Sequence, residues 1–80
     1  MSRVLLLDAD NAHDVFELVE LTETVARVRT AFLYEIGEEM RIQLQEDGKT
    51  SEALARVRAH TGTADDKVTE LELIERIDAR

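Results

Sequence analysis

The stretch from Ile36 to Lys49 constrains the fold more than any other part of the chain. Met40, Ile42 and Leu44 alternate with Arg41, Gln43 and Gln45. A period of two places one set of side chains on a buried face and the other in water, which is the mark of a half-buried strand. Gly37 precedes it and supplies a backbone free to turn. Asp47-Gly48 follows it, and this dipeptide favours a tight hairpin. Ala53 to Ala59 then alternates again, so residues 39–46 and 51–60 are expected to form two antiparallel strands.

The rest of the chain reads in the same terms. Val4 to Leu7 is a short apolar run that fits a strand over 2–8, ended by the turn-forming Asp8-Ala9-Asp10-Asn11. Residues 25–30 alternate Ala26 and Val28 against Arg27 and Arg29. Residues 67–75 alternate Leu71 and Leu73 against Glu70 and Glu72. Between these strands, Phe32, Leu33 and Ile36 read as core contacts leading into the Gly37 turn. The segment 12–21 fits two templates. As a helix, Ala12, Val15, Phe16 and Val19 share a face below an Asp10 or Asn11 cap. As a strand, Val15, Val19 and Leu21 oppose Phe16 and Leu18. Several short strands separated by turns predict a mainly β fold, a small antiparallel barrel with room for one short helix; α+β is the alternative.

Eighty residues make one domain with a small core. The chain has no cysteine, so disulfides and thiolate metal sites are excluded. Its formal net charge of −8 argues against nucleic acid and anionic membranes as partners. No apolar run approaches the roughly 20 residues of a membrane-spanning helix, and a cytoplasmic protein is expected.

Three groups of residues could carry chemistry. Asp8 and Asp10, at the end of an apolar strand, resemble the opening of receiver domains and of haloacid-dehalogenase phosphatases, where such carboxylates hold Mg²⁺. The remaining residues read as hairpins rather than as the doubly wound sheet those families need, so a strand followed by a polar turn is the preferred reading. His13 and His60 lack a paired metal-ligand spacing and read as surface or edge residues. Arg27, Arg29, Arg41, Arg56 and Arg58 all fall at outward strand positions. They could form a stripe that grips phosphate through paired donors. The preferred reading is that they pair across strands with Glu17, Glu39, Glu70 and Glu72.

From Phe16 to about residue 75, the order of features resembles a PilZ domain. The segment Phe16 to Glu23, the strand Val25-Ala26-Arg27-Val28, the glycine-led strand Ile36 to Leu44, the strand Ala53 to Arg58 and the last strand Thr69 to Leu73 carry the likeness. The resemblance implies a six-stranded barrel, in a family best known for binding cyclic di-GMP. That ligand is read through an Arg-x-x-x-Arg pair and an Asp/Asn-x-Ser-x-x-Gly turn. Here Arg3 is followed by Leu7 at the partner position. The turn falls on Glu20 to Val25, with Glu20, Thr22 and Val25 at the three motif positions. The resemblance therefore implies the fold and disfavours cyclic di-GMP. It points to a non-enzymatic, cofactor-free adaptor or regulator acting through protein contacts, as in bacterial signalling or motility. A nucleotide-binding module using the arginine stripe is the alternative, and a receiver-like Mg²⁺ domain a distant one. A homodimer is expected as well, because a strand over 12–21 with two apolar faces leaves one of them to be covered by another copy.

Overall fold

The computed structural model describes residues 2–78. Seven strands follow in order: β1 (Ser2–Asp8), β2 (Asn11–His13), β3 (Glu17–Leu21), β4 (Val25–Arg29), β5 (Glu39–Glu46), β6 (Lys49–Gly62) and β7 (Lys67–Asp78). They form one antiparallel sheet in the order β2-β1-β5-β6-β7-β4-β3. The centre is the meander β5-β6-β7, and the earlier strands attach to its two sides. β1 docks on β5, pairing Val4 with Leu44 and Leu6 with Ile42. β4 docks on β7, pairing Ala26 with Leu71 and Val28 with Thr69.

The alternation read in β5 is realised, and that in β6 is realised from Ala53 to Val57; a bulge at Arg58 then shifts it, so Ala59 pairs with the outer-face Glu70 rather than joining the core. Ile42, Leu44, Ala53, Ala55 and Val57 lie in one buried cluster with Val4, Phe16, Ala26, Val28, Leu71 and Leu73. Met40 packs partly buried against that cluster. Burying each of the Val, Leu, Ile and Phe side chains in the cluster contributes about 1.5–3 kcal/mol, and each alanine less. The β5–β6 turn is a two-residue hairpin in which Asp47 (φ 47°) and Gly48 (φ 81°) are both left-handed, the backbone that joins twisted strands without splaying them. β6 is longer than residues 51–60, because Lys49 and Thr50 already pair with β5 and Thr61 and Gly62 still pair with β7.

Three expectations are corrected. The sheet is not a closed barrel. β3 returns close to β1, but no ladder joins them among the described residues, and neither is there a helix there. The segment 12–21 is neither a helix nor one strand. It breaks into β2, a connector at 14–16, and β3. β3 carries a bulge: Leu18 pairs with Val28 and Glu20 with Arg27, which leaves Val19 unpaired. The extra residue resets the alternation, so Leu18 and Leu21 share the inner face and Val19 is left 40% exposed. With Val15 and Phe16 packed on the same core, the second apolar face that motivated dimerisation resolves largely within one chain. Third, Phe32, Leu33 and Ile36 are not core residues. They stand out from the β4–β5 connection at 53%, 80% and 67% exposure. The chain leaves the sheet after Arg29 and turns only Tyr34 inward, against Phe16 with ring centroids 6.2 Å apart.

Candidate functional site

The outer face carries the arginines where the alternation places them, but as members of a charge lattice. In one row Arg58 lies 3.7 Å from Glu70, Glu70 lies 3.4 Å from Arg27, and Arg27 lies 3.4 Å from Glu20. Arg56 sits 3.6 Å from Glu39, its directly paired residue on β5. Arg41 bonds Glu52 diagonally across the β5–β6 ladder. Arg29 holds Asp66 at 2.6 Å, joining β4 to the β6–β7 turn. The cross-strand pairing reading is the one realised: each of the five stripe arginines has a carboxylate beside it. Glu39 and Glu70 serve as expected, while Glu20, Glu52 and Asp66 complete the set. The Asp66 carboxyl is held below its ordinary range by the hydrogen bond from Arg29 and then by that guanidinium's charge; the Arg29 value rises for the same reasons.

The segment matching the family's ligand turn is a plain hairpin connection. The Thr22 N–H donates to the Val25 carbonyl at 2.9 Å, and Thr22 Oγ1 accepts from the Val25 N–H at 3.1 Å. Glu20 is engaged with Arg27, and Val25 pairs with Glu72. Arg3, the early arginine, is bonded to Asp14 at 2.6 Å. Asp8 to Asn11 closes the β1–β2 hairpin, with Ala9 left-handed at φ 56°, so the apolar strand does end in a polar turn.

The feature that stands apart is the connection from Thr30 to Glu38. It is apolar on the outside and fixed from within. Thr30 Oγ1 accepts from the Phe32 N–H at 3.2 Å. The Glu38 carboxylate accepts from the Glu35 N–H at 3.2 Å, and the Glu38 N–H returns to the Glu35 carbonyl at 3.0 Å. Gly37, at φ 96°, donates to the Val57 carbonyl at 2.8 Å, and Glu38 accepts from the Val57 N–H at 2.8 Å. His60 completes the anchoring. Its Nε2 lies 2.8 Å from the Tyr34 carbonyl and its Nδ1 lies 3.1 Å from Thr69 Oγ1. A carbonyl only accepts, so Nε2 carries the hydrogen, and in the neutral ring Nδ1 accepts from the Thr69 hydroxyl. His60 is therefore half-buried and structural rather than a plain surface or edge residue, whereas His13 is exposed. Burial, and then the Glu38 charge, raise the Tyr34 phenol above its ordinary value.

Beside this loop lies a cleft of about 550 Å³. Its walls come from the β2–β3 connector and the start of β3 (Asp14 to Glu17), the end of β4 and the start of the loop (Arg29 to Ala31), and the β6–β7 turn (Ala64 to Lys67). These meet because Glu17 pairs with Arg29 and Arg29 reaches Asp66. Apolar loop and cleft thus form one surface at one end of the sheet. The sequence conceals it because apolar residues between strands read as core. The available signal was the failure of Phe32 to Ile36 to keep the two-residue period of its neighbours.

Comparison of the chain with protein-family models, with curated proteins and with solved structures gives no match.

Proposed function

We propose that this chain is a non-enzymatic protein-interaction module, an adaptor or regulatory domain of the cytoplasm built on a PilZ-like sheet. The observation that carries the reading is the loop 30–38. Phe32, Leu33 and Ile36 are the most exposed of the large apolar side chains among the described residues, yet the backbone beneath them is fixed by hydrogen bonds to Thr30, Glu38, Val57 and His60. Exposed apolar side chains on an ordered backbone lose little conformational freedom when a partner covers them, which favours docking. Bacterial signalling or motility, the setting implied by the resemblance, belongs to the same proposal.

The competing nucleotide reading is weaker, because a phosphate would have to displace a carboxylate from each stripe arginine. Calorimetry with cyclic di-GMP is expected to show no binding at micromolar concentrations.

The docking reading is tested by panning a displayed peptide library against the chain and against the triple variant Phe32→Ser, Leu33→Ser, Ile36→Ser. All three side chains are exposed, so the variant is expected to keep the wild-type circular dichroism spectrum. Peptides retained by the wild type and lost on the variant support the reading. Enrichment that ignores the loop overturns it.

A further inference from the structure

The partner's chemistry can be taken one step further, resting on the docking reading above. We infer that the loop and its adjoining cleft receive a cationic segment of another protein, its aliphatic or aromatic side chains on Phe32, Leu33 and Ile36 and its Lys or Arg side chains between Glu17 and Asp65.

The surface and a cationic segment are complementary in charge. The cleft is lined by four carboxylates, Asp14, Glu17, Asp65 and Asp66, against two cations, Arg29 and Lys67. Asp14 is matched by Arg3 and Asp66 by Arg29. Asp65 has no salt-bridge partner among the described residues. Glu17 lies opposite Arg29 on β4 but shares that guanidinium with Asp66 and makes no salt bridge of its own. Lys67 is likewise unbridged, so carboxylates still exceed cations, and Glu35 brings a further exposed carboxylate on the loop itself. Thr30 and Ala31 line the cleft and run directly into Phe32, so anionic and apolar surfaces are continuous along one chain segment.

The same charge balance disfavours other occupants. A second copy would bring the same acidic surface: every described arginine already has a carboxylate, of the described lysines and arginines only Lys49 and Lys67 carry no salt bridge, and the formal net charge is −8. An anionic lipid surface would be repelled for the same reason. A segment alternating cationic and apolar residues satisfies both halves of the surface, through contacts that steer its approach and set its orientation.

The test is an NMR titration of the ¹⁵N-labelled full chain with a synthetic peptide of about ten alternating leucines and lysines, a length suited to one groove. A matched peptide carries glutamate for lysine. The lysine peptide is expected to shift amides from Thr30 to Ile36 together with Glu17 and Asp65. The double variant Glu17→Gln, Asp65→Asn is expected to weaken it roughly fivefold, as is appropriate to exposed charge pairs, and raising salt from about 0.05 to about 0.5 M is expected to weaken it further. Glu23→Gln, in the β3–β4 turn at the opposite end of the sheet, is expected to change nothing. Equal binding of the two peptides at the loop, or indifference to the double variant, overturns the cationic assignment and leaves docking at the loop intact. An equal loss with Glu23→Gln marks diffuse attraction and also overturns it. Amide shifts at the loop that depend on protein concentration, without peptide, identify a second copy as the occupant and overturn it too. If neither peptide moves the loop and the library shows no loop-dependent enrichment, the docking reading itself fails.

Discussion

His60 on β6 donates through Nε2 to the backbone carbonyl of Tyr34, 26 positions earlier in the chain, at 2.8 Å. One imidazole thereby couples the centre of the sheet to the loop that displays Phe32, Leu33 and Ile36. Replacing His60 with alanine leaves the Tyr34 carbonyl and the buried Thr69 hydroxyl without this partner. Destabilisation of about 1–3 kcal/mol is expected, measured by urea unfolding. Amide exchange of residues 32–36 is expected to accelerate more than that of β5, which separates loss of anchoring from general loosening.

Glu70 is the carboxylate shared by Arg27 and Arg58, and it is only 17% exposed. The buried Arg27 Nε has no aligned hydrogen-bond acceptor; its nearest anionic oxygen is that of Glu70 at 3.4 Å. Glu70→Ala therefore leaves a guanidinium edge buried without its counter-charge and is expected to cost about 1–3 kcal/mol. Glu39→Ala removes a carboxylate from the exposed pair with Arg56 and is expected to change stability by less than about 1 kcal/mol. Chemical denaturation of the two variants side by side checks the order.

The glycines divide in the same manner. At Gly62, φ is 88° and an added Cβ would lie 2.2 Å from the Asp66 carbonyl oxygen, so the β6–β7 turn must open to admit any side chain. At Gly48 a Cβ would meet nothing within 4 Å, and only the left-handed backbone opposes it. Gly48→Ala is expected to cost about 1–2 kcal/mol, and Gly62→Ala more, with the melting temperature as readout. Since Arg29 holds Asp66, Gly62→Ala is also expected to disturb the Arg29 and Asp66 resonances.

The Asp66 carboxyl titrates below its unfolded value because Arg29 bonds its charged form. The stability this pair contributes is therefore present above the ordinary aspartate range near pH ~3.9, and is lost as the pH falls through the lower folded value. Carboxyl chemical shifts followed by NMR should place the Asp66 midpoint below the ordinary aspartate value. In Arg29→Gln the Asp66 midpoint should rise toward the ordinary value.

How far the fold could be read in advance depended on which residues obeyed a simple period. Met40 to Gln45 and Ala53 to Val57 alternate without interruption, and both strands were legible, as was the Asp47-Gly48 hairpin between them. The places that escaped are those where one residue is inserted. Val19 in β3, Arg58 in β6 and Ile74 in β7 each sit at a register shift, and no local signal distinguishes a bulged residue from an ordinary one. The open edges are likewise set by which strands pair, not by any strand's own pattern. For the candidate site, the outward arginines were legible but their neutralisation was not, since it depends on the register that sets Glu70 between β4 and β6. Phe32 to Ile36 misled because hydrophobicity alone does not say whether a loop folds inward.

The strand order has a consequence for when this chain can fold. Residues 1–38 contain β1 to β4, and each of the two hairpins they form attaches to a different side of a central meander that lies wholly after residue 38. During synthesis both hairpins exist before either has a sheet to join, and a two-stranded hairpin alone is at best marginally stable in water. β1 to β4 must wait for the strands that follow them, so folding is gated by emergence of β7, the strand on which β4 docks.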